Sequence, residues 1–114
     1  MDKIVKISFS EEATRIYAEL SSRAQKDKKS RVLLKSIDQK LDFIRKDKHY
    51  GNPMAKNLFP KEYVENYYVR SLFRVELPFF WRMLYTLRDN RIEIIAFVLD
   101  IVDHKRYDKK FNYG

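Results

Sequence analysis

Three apolar alternations, one after another between residues 69 and 99, limit what this chain can become. Val69, Ser71, Phe73, Val75 and Leu77 hold one parity. Trp81, Met83, Tyr85 and Leu87 repeat it, and Ile92, Ile94, Ala96 and Val98 repeat it again. A period of two is that of a strand with one buried face, because successive side chains point to opposite sides. A loop centred on Pro78 separates the first pair. Asp89-Asn90, a two-residue turn that tolerates positive φ, separates the second. Three consecutive antiparallel strands are expected, and their apolar face needs a cover.

The N-terminal half supplies that cover. Val5, Ile7 and Phe9 alternate with Lys6 and Ser8, a half-buried strand over about residues 3–9. Ser10 stands where an N-cap belongs, and Glu11 and Glu12 follow in the first turn, where the helix dipole favours negative charge. Ala13, Ile16, Tyr17, Leu20 and Ala24 then form one stripe of a helix over 10–25. After the polar link at 25–29, Ser30 is the candidate cap of a second helix, with the stripe Leu34, Ile37, Leu41 and Ile44, running to about residue 48. A short link makes the two helices an antiparallel pair. Gly51 and Pro53 stop the second helix, and residues 51–67 read as a loop. The expectation is one α+β domain with two layers and the order β-α-α-β-β-β. Its antiparallel helix pair packs on one face of a mainly antiparallel sheet.

The 114 residues suit one domain. There is no cysteine, which excludes disulfides, thiol catalysis and thiolate zinc sites, and two histidines cannot fill a structural zinc site. Neither a metal nor a cofactor is expected. No apolar run is long enough to span a bilayer, and Met1–Lys6 lacks the apolar core of a signal peptide, so a cytoplasmic location is expected. The net charge of +8 favours a polyanionic partner, nucleic acid or an acidic protein. Most of the excess lies in residues 26–61, with eleven basic and four acidic side chains. A solvated lysine-rich helix accounts equally well for residues 26–48.

The opposite parity of the sheet is mixed. It carries Arg70, Leu72, Arg74 and Glu76, then Arg82, Leu84, Thr86 and Arg88, then Arg91, Glu93, Ile95, Phe97 and Leu99. With the turns assigned above, Arg74 lies opposite Arg82, Arg82 opposite Phe97, and Leu84 opposite Ile95. Two guanidiniums directly across a strand pair repel unless an anion joins them, and an RNA phosphate matches their forks. The alternative is that Glu76 and Glu93 neutralise an ordinary surface. The apolar residues ringed by charge favour a contact surface.

The chain closes on Asp103-His104-Lys105-Arg106-Tyr107, where His104 and Tyr107 share a face if the segment is helical. Metal-free RNA cleavage needs a base for the 2′-OH, an acid for the 5′ oxygen and cations around the phosphate. Histidine suits either proton role near neutral pH, and Tyr or Arg can supply the other.

These residues carry a resemblance. The stretch from Trp81 to Leu87, with Arg82 followed by two hydrophobic residues and Tyr85, resembles a strand of RelE-type toxins. His104-Lys105-Arg106-Tyr107 resembles that family's closing element, and Gly51-Asn52-Pro53 with Lys56-Asn57-Leu58 resembles its loop before the second strand. In element order the chain is similar to the RelE/ParE toxin superfamily over nearly its whole length. The resemblance implies a RelE-like fold and a ribosome-dependent endoribonuclease that cuts messenger RNA in the A site. The chemistry would be 2′-OH attack, leaving a 2′,3′-cyclic phosphate. It implies Arg82 as the phosphate-stabilising arginine and His104 with Tyr107 as the catalytic pair. Arg74, Lys56, Lys105 and Arg106 are the implied RNA contacts. The implied partners are messenger RNA, ribosomal RNA and a cognate antitoxin. Two departures stand out. Asp100-Ile101-Val102 prolongs the last strand, which predicts a His104 set farther from Arg82. Asp103 replaces a small residue, and its carboxylate can orient His104 or lower the local positive potential. A ParE-like gyrase inhibitor, in which His104 is dispensable, and a non-catalytic RNA- or protein-binding module on the same scaffold are the competing readings.

Overall fold

A computed structural model describes residues 3–111. In chain order the elements are β1 (Ile4–Phe9), α1 (Glu11–Arg23), α2 (Lys28–Lys46), β2 (Asn52–Pro53), α3 (Lys61–Tyr67), β3 (Phe73–Glu76), β4 (Arg82–Asp89), β5 (Glu93–Val102) and α4 (His104–Phe111). The five strands form one sheet in the order β1-β5-β4-β3-β2. Only the β1–β5 pair is parallel. Among the described residues no helix is long and apolar enough to cross a membrane.

The helix pair forms for local reasons. Ser10 Oγ accepts from Ala13 N at 3.0 Å, capping α1. The second cap is Asp27 rather than Ser30. Asp27 accepts from Lys29 N at 3.1 Å and from the Ser30 hydroxyl at 2.8 Å, so α2 starts before Ser30. Its buried stripe is Leu33, Ile37, Leu41 and Ile44, with Leu33 in the place expected for Leu34. These residues, with Ala13, Ile16 and Leu20, pack on Phe73, Val75, Leu77, Met83, Tyr85, Ala96, Val98 and Ile101. Ile92, expected on this face, is 78% exposed in the turn before β5.

The two-layer expectation needs correction. The other sheet face is covered as well, and a second core joins Leu72, Leu84, Leu99 and Val102 to Tyr63 of α3 and to Tyr107 and Phe111 of α4. Val69, expected under the helix pair, belongs to this second core. The cause lies in the sheet itself, whose second face carries too much apolar surface to face water. Residues 51–67, read as a loop, contain β2 and α3.

Both expected turns are also displaced, and this sets the site. The β4–β5 hairpin closes around Asn90, whose Oδ1 accepts from the amides of Ile92 (2.9 Å) and Glu93 (2.8 Å). Asn90 therefore opens the turn instead of ending it, as Asn side chains do when they mimic a backbone turn. Thr86, not Arg82, pairs with Phe97. A bulge then leaves Leu99 as an extra residue, so that Leu84 pairs with Asp100 and Arg82 with Val102. In the preceding hairpin the turn centres on Phe79, so Glu76, not Arg74, faces Arg82, and Arg74 faces Leu84.

Gly51 shows how tightly α2 is joined to the sheet. Its amide donates to Tyr85 Oη (3.0 Å), which itself donates to the Lys48 carbonyl (2.8 Å). A Cβ at this position would meet Tyr85 Cε1 at 2.9 Å and Phe73 Cβ at 3.0 Å. Gly51→Ala is expected to lower stability by about 1–3 kcal/mol through overpacking, read as a lower urea midpoint at unchanged slope.

Candidate functional site

Arg82 opens β4 at the end of the sheet where β5 runs into α4. Its guanidinium is held on several sides. Nη1 donates to the Phe80 carbonyl. Nε lies 3.2 Å from Glu76 Oε2. The guanidinium carbon sits 4.8 Å from the centroid of the Tyr107 ring, an arginine-over-aromatic arrangement. Arg74 approaches the same two residues. Its Nε lies 2.9 Å from Glu76 Oε1, and its Nη1 donates to Tyr107 Oη at 3.1 Å. Glu76 therefore joins the two arginines that a face-to-face pairing would have set in repulsion.

His104 is the first residue of α4 and faces Arg82, with Nδ1 3.3 Å from Arg82 Nη1. The long last strand does not carry it away, because the displaced hairpin and the Leu99 bulge bring Val102 level with Arg82. One turn along α4, Asp108 Oδ2 lies 3.1 Å from His104 Nε2. Arginine can only donate, and an ionised carboxylate can only accept. The arrangement therefore favours the tautomer with Nε2–H toward Asp108 and the Nδ1 lone pair toward Arg82. A second-nitrogen partner of this kind fixes a histidine as a base. The imidazole remains open to solvent, with 56% of its side chain exposed.

Asp103 does not orient His104. Its Oδ1 accepts from Arg106 N at 2.9 Å and caps α4. Tyr107 shares Arg82 with His104 but is buried, only 1% exposed, beneath the two guanidiniums. Arg106 turns to another flank and pairs with Glu12 of α1 at 3.2 Å. Lys105 is exposed on α4, and Lys56 is exposed in the short turn Lys56–Leu58 after β2. The structure thus assembles Arg82, Arg74, His104 and Tyr107, and leaves Lys56, Lys105 and Arg106 outside that contact.

Three participants escaped the sequence reading. Asp108 carries a legible signal, a carboxylate four residues after His104 on a helix. Glu76 entered only as a possible neutraliser. Phe80, whose ring centroid is 5.8 Å from that of His104, gave no signal because it belongs to the turn.

The position of α4 is fixed from below. Lys110 pairs with Asp100 Oδ2 (3.1 Å) and with Glu62, and Tyr63 Oη donates to Asp100 Oδ2 at 2.6 Å. Burial, then the Asp100 charge, pushes the Tyr63 phenol far above its ordinary value. Burial opposes the Lys110 charge, but Glu62 and Asp100 outweigh it and hold that ammonium above the usual lysine value. A depression of about 520 Å³ nearby, lined by Pro60, Lys61, Glu62, Arg106, Lys109 and Lys110, does not include His104 or Arg82.

Among the described residues there is no cluster of three or more His, Cys, Asp or Glu side chains arranged to hold a metal ion. No family model, no curated protein and no solved structure matches the chain.

Proposed function

We propose that the chain is a RelE-like toxin, an endoribonuclease that cuts messenger RNA on the ribosome by metal-independent attack of a 2′-OH. The reading rests on one observation above the rest. A solvent-open histidine, braced by Asp108 at 3.1 Å, has its other nitrogen 3.3 Å from the Arg82 guanidinium. A phosphodiester entering there meets a proton acceptor and a guanidinium fork together. The phosphate draws the Arg82 Nη1 donor away from His104, and the Nδ1 lone pair so released takes the 2′-OH proton. The 2′ oxygen forms its bond to phosphorus, the bond to the 5′ oxygen breaks, and that oxygen takes a proton from solvent water, while the His104 imidazolium returns its proton to the hydroxide left behind. The products are a 2′,3′-cyclic phosphate and a 5′-OH. Arg82 stabilises the crowded phosphate, with Arg74 beside it. Tyr107, enclosed beneath both arginines, is a positioning residue in this scheme rather than a proton carrier. Lys56, Lys105 and Arg106 supply charge for docking on ribosomal RNA, as does the lysine-rich face of α2. An antitoxin covering this surface would silence it.

The test is a coupled translation reaction with purified protein. The expected result is cleavage of translated transcripts and arrest, with DNA supercoiling by gyrase unaffected. Intact transcripts with inhibited supercoiling would favour the ParE-like reading instead. Asp108→Asn should retain the fold and cut about tenfold or more slowly. The loss is expected because an amide can still meet Nε2 but no longer stabilises the imidazolium formed during the step. An unchanged rate would remove Asp108 from the scheme.

A further inference from the structure

Between β3 and β4 the chain passes through a turn, Pro78–Phe80, that is costly for the residues occupying it. Phe79 and Phe80 have φ of 61° and 62°. This left-handed region is disfavoured for any residue with a Cβ and is ordinarily left to glycine or asparagine. Burial does not offset that cost, since Phe79 is 47% and Phe80 72% exposed. Strain of this kind persists at functional sites.

The location fits such a role. The Phe80 carbonyl accepts from Arg82 Nη1, so the strained backbone helps aim the guanidinium. The Phe80 ring stands next to the His104 imidazole, tilted 56° from it, with one side open to solvent. On the other side of the turn Lys29 of α2 lies 5.3 Å from the Phe79 ring centroid. A flat apolar face, a histidine and the Arg82 guanidinium thus meet at this end of the sheet. Unpaired bases stack on such faces, and the stack tolerates any base because each has a π-face.

We propose that Phe80 is the stacking platform for the nucleobase adjoining the scissile phosphate, held in place by the left-handed turn. Phe79 and Lys29 anchor the turn to the basic helix. This rests on the RNA-cleavage reading above and adds the element that orients the base.

The experiment uses ribosomes programmed with a transcript whose A-site codon carries a fluorescent adenine analogue, quenched by stacking, and a 2′-O-methyl group that blocks cleavage. Wild-type protein should co-sediment with these ribosomes and quench the analogue. Phe80→Ala should abolish the quench and slow cleavage of an ordinary transcript about tenfold, whereas Phe80→Tyr should keep both. Phe80→Gly should also lose the quench yet melt no lower than wild type, because glycine accepts the positive φ. Quenching by Phe80→Ala equal to wild type would overturn the platform while leaving the cleavage reading intact. So would a Phe80→Gly variant that melts far below wild type, since the ring would then serve the fold. If wild-type protein does not bind programmed ribosomes, the platform and the reading fall together.

Discussion

Arg82→Ala should cut RNA about a hundred- to a thousandfold more slowly than wild type, the loss typical of removing a preorganised electrostatic contact. The residue combines several contacts that no substitute reproduces. It donates to the Phe80 carbonyl, approaches the Glu76 carboxylate, lies over the Tyr107 ring and faces His104 Nδ1. Arg82→Lys should therefore recover little, because an ammonium on a flexible stem cannot serve a planar fork and a stacked ring together. His104→Ala should cost about a hundred- to ten-thousandfold. The double variant should be hardly slower than the worse single one, because the two groups act on one phosphate as a unit. Single-turnover rates in the translation reaction measure all three, with thermal melting as the control for fold. A fully active Arg82→Ala protein would separate the arginine from the chemistry.

Lys110→Met is expected to produce the largest loss of stability, about 3–5 kcal/mol. Asp100 is buried, and without Lys110 its carboxylate would keep, among the described residues, the Tyr63 hydroxyl as its side-chain partner. Breaking one partner of a buried pair is costly because the other charge stays behind uncompensated. The double variant Lys110→Met with Asp100→Asn should recover most of the loss, since the amide oxygen still accepts from Tyr63. Because this contact anchors α4, the single variant should also loosen His104. The pH dependence follows from the same groups. The folded-state values of Lys110 and Tyr63 are both raised, above 10.5 and 10.0 respectively. Their contribution is therefore fully present below about pH 10 and is lost as pH rises through the folded values. Wild-type protein should lose stability in alkali above that point, and Lys110→Met should show a shallower alkaline decline. An equal decline in both would place the alkaline transition elsewhere.

Much of the fold is legible in the residues. Period-two runs mark β3, β4 and β5, although β3 keeps only Phe73–Glu76 of its run, and the stripes of α1 and α2 mark the helix pair. What escaped has physical causes. α3 has seven residues and buries only Tyr63, and α4 buries only Tyr107 and Phe111, too few positions to establish a period. The sheet face they cover was read as exposed for that reason. Strand register escaped because it hangs on single turn contacts. One Asn90 side chain moves the β4–β5 pairing by four residues, and the bulge at Leu99 moves it by one more. That displacement decides the site. The prolonged last strand suggested a His104 set farther from Arg82, whereas the observed register sets the two side by side. The charges of the site were visible in the residues, but Glu76 as the link between Arg74 and Arg82 depended on the turn at Phe79.

The central claim is that the Arg82–His104–Asp108 arrangement cleaves RNA through its own 2′-OH. Mapping the chemistry of transcript ends after a coupled translation reaction tests it most directly. Wild-type protein should leave upstream fragments ending in a 2′,3′-cyclic phosphate and downstream fragments beginning with a 5′-OH, and His104→Ala should leave the transcripts whole. Intact transcripts with wild-type protein, or fragments ending in a free 3′-OH, would contradict it.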